Sequence, residues 1–190
     1  MIELKGFQQA VSPSVIRLAQ IGDMSAFEEI YQQYSDASYN LALRITDNEA
    51  LAQDIVQEVF IKVMNKVTDF KHQGSFAGWL RRIVVYETIN RVKSESKTYL
   101  VTENEYVETE SNDLFNFEWL SACIDLNVLL KQLTITSRTV LLLHEIEGFK
   151  HKEIADLYGK SESFSKITLS RAYASLRKTA LIQEQRHAFK

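Results

Sequence analysis

Proline occurs once and glycine six times in 190 residues, so the chain holds few of the residues that break helices or supply turns. Nor is there a run of alternating apolar and polar residues bounded by turn signals, which argues against a sheet and leaves an all-α fold. Cysteine occurs once, as Cys123, so no intramolecular disulfide framework can form, and a reducing cytoplasm is the expected setting. No stretch approaches the roughly 20 apolar residues of a membrane span, and MIELKGFQQAVSPSVIRLAQ lacks the apolar core of a signal peptide, so direct membrane insertion is not expected. Paired-His helix motifs, nucleotide-binding glycine loops and serine elbows are missing too. His72, His144, His151 and His187 are scattered. His144 and His151 could share a helical face only if one helix ran through Gly148. No catalytic centre, metal or cofactor is therefore expected.

What is present is unevenly charged. The formal net charge is −3, yet residues 76–100 carry five Lys/Arg against two Glu, and residues 148–190 carry nine against four acidic residues. Between them, residues 101–125 hold seven acidic side chains and no basic one. Two basic modules separated by an acidic strip are hidden by the overall balance.

The most informative segment is GFKHKEIADLYGKSESFSKITLSRAYASLRK, residues 148–178. Ile154, Leu157 and Tyr158 fall on one helical face, Ala155 is small enough for a second helix to cross closely, and Gly159 supplies a turn. Ser161 is placed to cap the second helix, which buries Leu169, Ala172, Tyr173 and Leu176. Phe164, Lys166, Ile167, Ser170 and Arg171 fall away from that stripe. This is a helix-turn-helix pattern, and its outward side chains suit a DNA groove. Lys166 and Arg171 match phosphate or guanine, Ser170 and Thr168 offer hydroxyls, and Phe164 or Ile167 could meet thymine methyls. An ordinary helical hairpin, with Phe164 and Ile167 packed on another domain, accounts for the same pattern.

The first half reads as a helical unit. Ser25-Ala-Phe-Glu28 and Thr46-Asp-Asn-Glu49 have the form of capping boxes. The first opens a helix through Phe27, Ile30, Tyr31 and Tyr34. The second opens a helix over about 49–67 that points Ala52, Ile55, Val56, Val59 and Val63 inward and Asp54, Gln57, Glu58, Ile61 and Asn65 outward. FAGWLRRIVVYETINRVKSESK follows, apolar on most of its circumference, with Phe76, Trp79, Ile83, Tyr86 and Asn90 on one stripe. Arg81, Arg82, Arg91 and Lys93 project in other directions. Interleaved aromatics and cations suit single-stranded nucleic acid, although this segment taken alone favours a core helix with Trp79 and Tyr86 simply buried. From Ser94 to about Phe117 periodicity fades into a polar, acidic linker. It resumes with Leu120, Ile124, Leu126, Leu129, Leu130 and Leu133, then Val140, Leu141 and Leu143.

Along almost its whole length the sequence resembles bacterial sigma factors of the sigma-70 family, in the small extracytoplasmic-function branch. DIVQEVFIKVMNKVTDF, residues 54–70, is similar to the region that docks on the clamp helices of RNA polymerase. GSFAGWLRRIVVYETINRVK, residues 74–93, is similar to the strand-separating, minus-ten-reading segment. LLLHEIEGFKHKEIADLYGKSESFSKITLSRAYASLRK, from Leu141, resembles the domain that reads the minus-thirty-five element. Residues 1 to about 20 and the far C-terminus lie outside the resemblance.

The resemblance implies a region 2 domain over residues 1–97, an acidic linker over 98–118 and a region 4 domain over 119–190. It implies a non-catalytic promoter-specificity subunit, without cofactor, partnered by the β′ clamp helices and β flap of core polymerase and by promoter DNA. An anti-sigma partner is also implied. Asp54, Gln57, Glu58 and Ile61 become the polymerase-docking face. Trp79, Arg81, Arg82, Tyr86, Asn90, Arg91 and Lys93, with the loop from Phe70 to Trp79, become the contacts to the unwound strand. Phe164, Lys166, Ile167, Thr168, Ser170 and Arg171 become the upstream duplex contacts. The chain departs from the family pattern at Tyr86, where many members carry Asn. Lys150 stands where a small hydroxyl residue often caps, Lys160 where an apolar residue is usual, and Ser165 where Val is frequent. Phe164 and Ile167 stand where polar side chains are commoner. A free-standing helix-turn-helix regulator is the alternative, but it would need a dimerisation or ligand-binding domain where residues 23–93 already fit polymerase docking.

Overall fold

A computed structural model describes residues 5–98 and 130–188, with side chains over 7–95 and 130–178. The expected loss of periodicity from Ser94 is corrected, since the helix that begins at Phe76 runs on to Thr98; the rest of the acidic linker, Cys123 and the apolar positions from Leu120 to Leu129 lie outside the described residues. Every described element is helical, as the scarcity of breakers requires. The chain divides into two compact units, residues 1–95 and 96–190.

The first unit contains α1 (Lys5–Gln8), α2 (Pro13–Gln20), α3 (Met24–Thr46), α4 (Glu49–Lys66) and α5 (Phe76–Thr98). The only proline sits at the first position of α2, where a missing N–H costs nothing, behind a Ser12 cap. The boundaries of α3 and α4 correct both expected capping boxes. Asp23, not Ser25, caps α3, its carboxylate accepting from Ala26 N at 2.9 Å. Asn48, not Thr46, caps α4 by accepting from Leu51 N at 3.1 Å. Thr46 instead closes α3, its hydroxyl donating to the Ala42 carbonyl at 2.9 Å, and Asp47 turns the chain at φ 53°. In each case an Asx side chain two residues from the expected Ser or Thr supplies the acceptor.

α3 and α4 pack together, and α2 lies on α3. Their core contains Ile30, Ile45, Ala52, Ile55, Val59 and Val63, all buried. Tyr34 is fully buried among them, yet its hydroxyl donates to the Gln9 carbonyl at 3.0 Å and accepts from Val11 N at 3.3 Å. Those two bonds tie the N-terminal segment to the centre of the unit, and burial raises the Tyr34 phenol above its ordinary value.

α5 presents Phe76, Ala77, Leu80, Val84, Val85 and Ile89 to this core. Of the stripe expected from spacing, Phe76 is buried, but Trp79, Ile83 and Asn90 are only partly covered and Tyr86 is half exposed. A helix apolar around most of its circumference gives periodicity no unique arc to choose, so the partners on α3 and α4 decided it.

In the second unit, α6 (Ile135–Leu141) runs into a wider π-turn over Leu142–Ile146, then α7 (His151–Tyr158) and α8 (Glu162–Ala188) follow. Val140, Leu141, Leu142, Leu143, Phe149, Ile154, Ala172 and Leu176 form the core. Arg138 is buried with them, and its Nε donates to the Leu130 carbonyl at 2.8 Å. Gly148 (φ 69°) and Gly159 (φ 64°) occupy left-handed positions that a side chain would strain.

Candidate polymerase-docking and nucleic-acid interfaces

On α4 the capped start and 3.6-residue period turn Ile55, Val56, Val59, Phe60 and Val63 inward, leaving Asp54, Gln57, Glu58 and Ile61 exposed on the opposite side. Ile61 is 58% exposed, and Met64 (42%), three residues on, extends the apolar surface. Tyr31 of α3 is exposed as well, its ring edge-on to Phe60 at 4.8 Å. The face therefore pairs acidic and amide groups with uncovered apolar ones. Spacing alone could have added Met64 to Ile61; Tyr31 was expected only as part of the apolar side of α3. Glu58 meets Arg91 of α5 at 3.5 Å, and Lys62 meets Glu87, so the acidic face and the basic helix are joined. The Glu58–Arg91 pair is largely exposed and contributes roughly 0–1 kcal/mol.

Between α4 and α5, Lys71 to Ser75 are exposed above an aromatic floor. The Phe70 ring lies 5.3 Å from Phe76 and 5.7 Å from Trp79, with Phe76 and Trp79 5.4 Å apart. His72, at φ 57°, leans over Phe70 at 5.1 Å. Gly74, at φ 92°, turns the chain toward α5. Along α5, Trp79, Tyr86 and Asn90 share a partly open side, with Arg82 exposed next to it. Arg81, Arg91 and Lys93 are half buried, and Arg91 also meets Glu95 at 3.7 Å. The helix thus carries aromatic and cationic groups around an open arc rather than in a single row.

In the second unit, Lys166, Ile167, Ser170 and Arg171 of α8 are exposed, Ile167 at 51%. Two expected groove contacts are less open than these four. Thr168 is buried, because its position on α8 falls between Ser165 and Leu169 on the inner face. Phe164 is half buried, with its ring 5.2 Å from Tyr158, which makes it part of the turn's packing. Lys166 is paired with Glu162 at 2.8 Å, one turn earlier, and its ammonium holds the Glu162 carboxyl below the ordinary range. Burial pushes the Tyr158 phenol, hydrogen-bonded to Thr139, up to about 12. Burial, with the Glu145 carboxylate beside it, raises Tyr173 as well.

Two departures from the family pattern have local causes. Lys150 stands at the start of α7 and has no side-chain acceptor, but its N–H is taken by the Glu153 carboxylate at 2.9 Å. Ser165 is fully buried, and its hydroxyl meets His151 Nδ1 at 3.0 Å. The His151 ring also stacks on His144 at 4.2 Å, although the helix stops before Gly148. The π-turn and the left-handed Gly148 fold the chain back, so seven residues of separation become a contact without a shared helix. His144 Nδ1 donates to the Phe149 carbonyl at 2.9 Å. Burial lowers the His151 pKa, and His144 and Lys166 reinforce the effect. Among the described residues, no group of three or more His, Cys, Asp or Glu could hold a metal ion.

The unit that carries the acidic-apolar and aromatic-cationic helices and the unit that carries the helix-turn-helix each match a family model. The family model described as Sigma-70 region 2 matches residues 30–98, and that described as Sigma-70, region 4 matches residues 124–176. The chain belongs to the sigma-70 family, whose members bind RNA polymerase and direct promoter-specific initiation of transcription. More narrowly, it is an extracytoplasmic-function sigma factor. RNA polymerase sigma factor YlaC of Bacillus subtilis is 28% identical over 158 residues, covering 80% of this chain and 91% of that protein. ECF RNA polymerase sigma factor SigW of the same organism is 27% identical over 175 residues, covering 86% and 93%. ECF RNA polymerase sigma factor SigE of Mycolicibacterium smegmatis is 29% identical over 142 residues, 72% of this chain but only 54% of that longer protein. Among solved structures, CnrH in complex with the cytosolic domain of CnrY aligns with a TM-score of 0.54 at 22% identity, over 90% of this chain and 96% of that one. The sigma factor RpoE, in complex with the anti-sigma factor NepR from Bartonella quintana, has a TM-score of 0.54 at 19% identity, covering 80% and 94%. These two likenesses concern the fold. A stand-alone helix-turn-helix regulator is not favoured, because region 2 accounts for the first unit.

Proposed function

We propose that Asp54, Gln57, Glu58 and Ile61, extended by Met64, dock on the β′ clamp helices of core polymerase. On this reading α5 and the loop before it hold the unwound minus-ten strand through Trp79, Arg81, Arg82, Tyr86, Asn90, Arg91 and Lys93. Lys166, Ile167, Ser170 and Arg171 read the minus-thirty-five duplex, and the same C-terminal module meets the β flap. The domain division follows the family, with region 2 over 1–97, a linker over 98–118 and region 4 over 119–190. The chain itself catalyses nothing in this scheme, and polymerase does the chemistry. It acts in the cytoplasm, where that enzyme works, and an anti-sigma protein holds it in reserve by covering the docking face.

The observation that carries the proposal is the exposure of Ile61 and Met64 within an acidic face, on the same compact unit as the aromatic-cationic α5. Uncovered apolar groups ringed by charge characterise surfaces that a partner buries. The test is charge reversal at Asp54 and Glu58 together, to Lys, with binding to purified core polymerase measured beside thermal unfolding. Core binding is expected to be lost while the fold stays intact. Undiminished binding would overturn the docking assignment.

A further inference from the structure

Gln20, the last residue of α2, lies before the region 2 match begins at residue 30, yet it reaches the loop between α4 and α5. Its Nε2 donates to two backbone carbonyls, Val67 and Phe70, each at 2.9 Å. Its Oε1 lies 3.1 Å from His72 Nε2. Because an amide oxygen only accepts, His72 must donate from Nε2, which fixes both the tautomer and the direction of the ring. The amide thus makes three bonds to a stretch 47 to 52 residues away.

These bonds fall where the regular hydrogen-bond ladder of α4 gives way to a single turn, in which the Val67 carbonyl also accepts from Phe70 N at 3.2 Å. α4 ends at Lys66, a short turn of 3₁₀ helix covers Val67–Asp69, and the chain is exposed from Lys71 to Ser75. The Val67 and Phe70 carbonyls mark the two ends of that turn, and Phe70 is then held twice, by its ring in the aromatic floor and by its carbonyl on Gln20. Without the brace, the entropy cost of ordering this loop would fall to the strand it captures.

We propose that Gln20 is a positioning residue for single-strand capture: it fixes the loop over residues 67–72 in the shape that receives an unwound base, so that the N-terminal segment tunes promoter opening. The inference rests on the reading that this loop holds the minus-ten strand. The residue type is narrowly required. Two donors and one acceptor on a planar head are needed. Ionised Glu offers no donor, Lys and Arg offer no acceptor, and Met offers neither a donor nor a carbonyl-strength acceptor. Gln20→Glu is therefore nearly the same size but sets a carboxylate against two carbonyl oxygens.

The experiment uses the full chain with purified core polymerase and a library of promoters varied at each minus-ten and minus-thirty-five position. Gln20→Glu and Gln20→Met are compared with the wild type for core affinity, thermal unfolding, rate of open-complex formation and base preference by position. For both variants core affinity is expected to be unchanged, opening to slow by about tenfold for Glu and by less for Met, and base preference to flatten at minus-ten positions only. His72→Ala, which removes one of the three bonds at an exposed residue, should give a partial form of the same profile. A uniform loss at every promoter position, accompanied by a lowered melting temperature, would reduce Gln20 to a structural role and overturn the proposal, as would a wild-type profile in both Gln20 variants. If the wild-type holoenzyme itself shows no minus-ten preference, the reading of the loop fails instead, and that result is visible without any variant.

Discussion

Replacing Ile61 with Ala separates docking from folding, because the side chain is 58% exposed in the free protein. Full burial of an isoleucine stabilises by about 1.5–3 kcal/mol, so the partly covered portion contributes roughly 1 kcal/mol to the fold. Alanine's better helix propensity returns several tenths of a kcal/mol. The net folding change is about 0.5 kcal/mol, a shift of a few degrees in a unit of this size. The exposed portion is different, since a partner that buries it gains about 1–2 kcal/mol, equivalent to a 5- to 30-fold change in affinity. Titration of labelled protein with core polymerase, beside calorimetric melting, reads both numbers. Weaker core binding at a nearly constant melting temperature supports the docking face. An unchanged affinity would refute it, and a large drop in melting temperature would refute the account of how Ile61 is packed.

Tyr34→Phe keeps the ring but strands the Val11 N–H and the Gln9 carbonyl, so the first unit should lose about 1–3 kcal/mol in denaturant unfolding. Glu162→Gln should tighten duplex binding and steepen its salt dependence, because it removes an acidic partner that now neutralises Lys166; unchanged salt slopes would count against Lys166 as a phosphate contact. Ile167→Ala should change base preference at one upstream promoter position, whereas an unchanged profile would remove Ile167 from the groove. The stability of the C-terminal unit should depend on pH through His151. Its pKa in the folded protein lies below the ordinary 6.5, so the unfolded chain binds the proton first. The contribution is then fully present above about pH 6.5 and is lost as pH falls through the lowered value. Glu162 and Glu145 oppose the shift, while His144 and Lys166 favour it. Melting curves of the full chain and of His151→Gln across this range should converge as the pH drops.

The sequence by itself determined the helical class, the two modules, the outward strip from Asp54 to Ile61 and the exposure of Lys166, Ile167, Ser170 and Arg171 on α8. In each case one apolar arc is flanked by polar residues, so a 3.6-residue period has a single solution. The same rule could not orient α5, where apolar residues run nearly all round, and only contact with α3 and α4 left Tyr86 outside and Val84 and Val85 within. Capping was legible as a location but not to the residue, since Asp23 and Asn48 compete with Ser25 and Thr46 for the same amides. Thr168 looked available on hydroxyl chemistry, yet its position on α8 buries it. Contacts between distant segments were beyond any local pattern. The Gln20 brace joins residues 47 to 52 apart, and the His144–His151 stack depends on a left-handed turn at Gly148. Periodicity records which side of a helix is apolar; which distant polar group meets which is set only when the chain closes on itself.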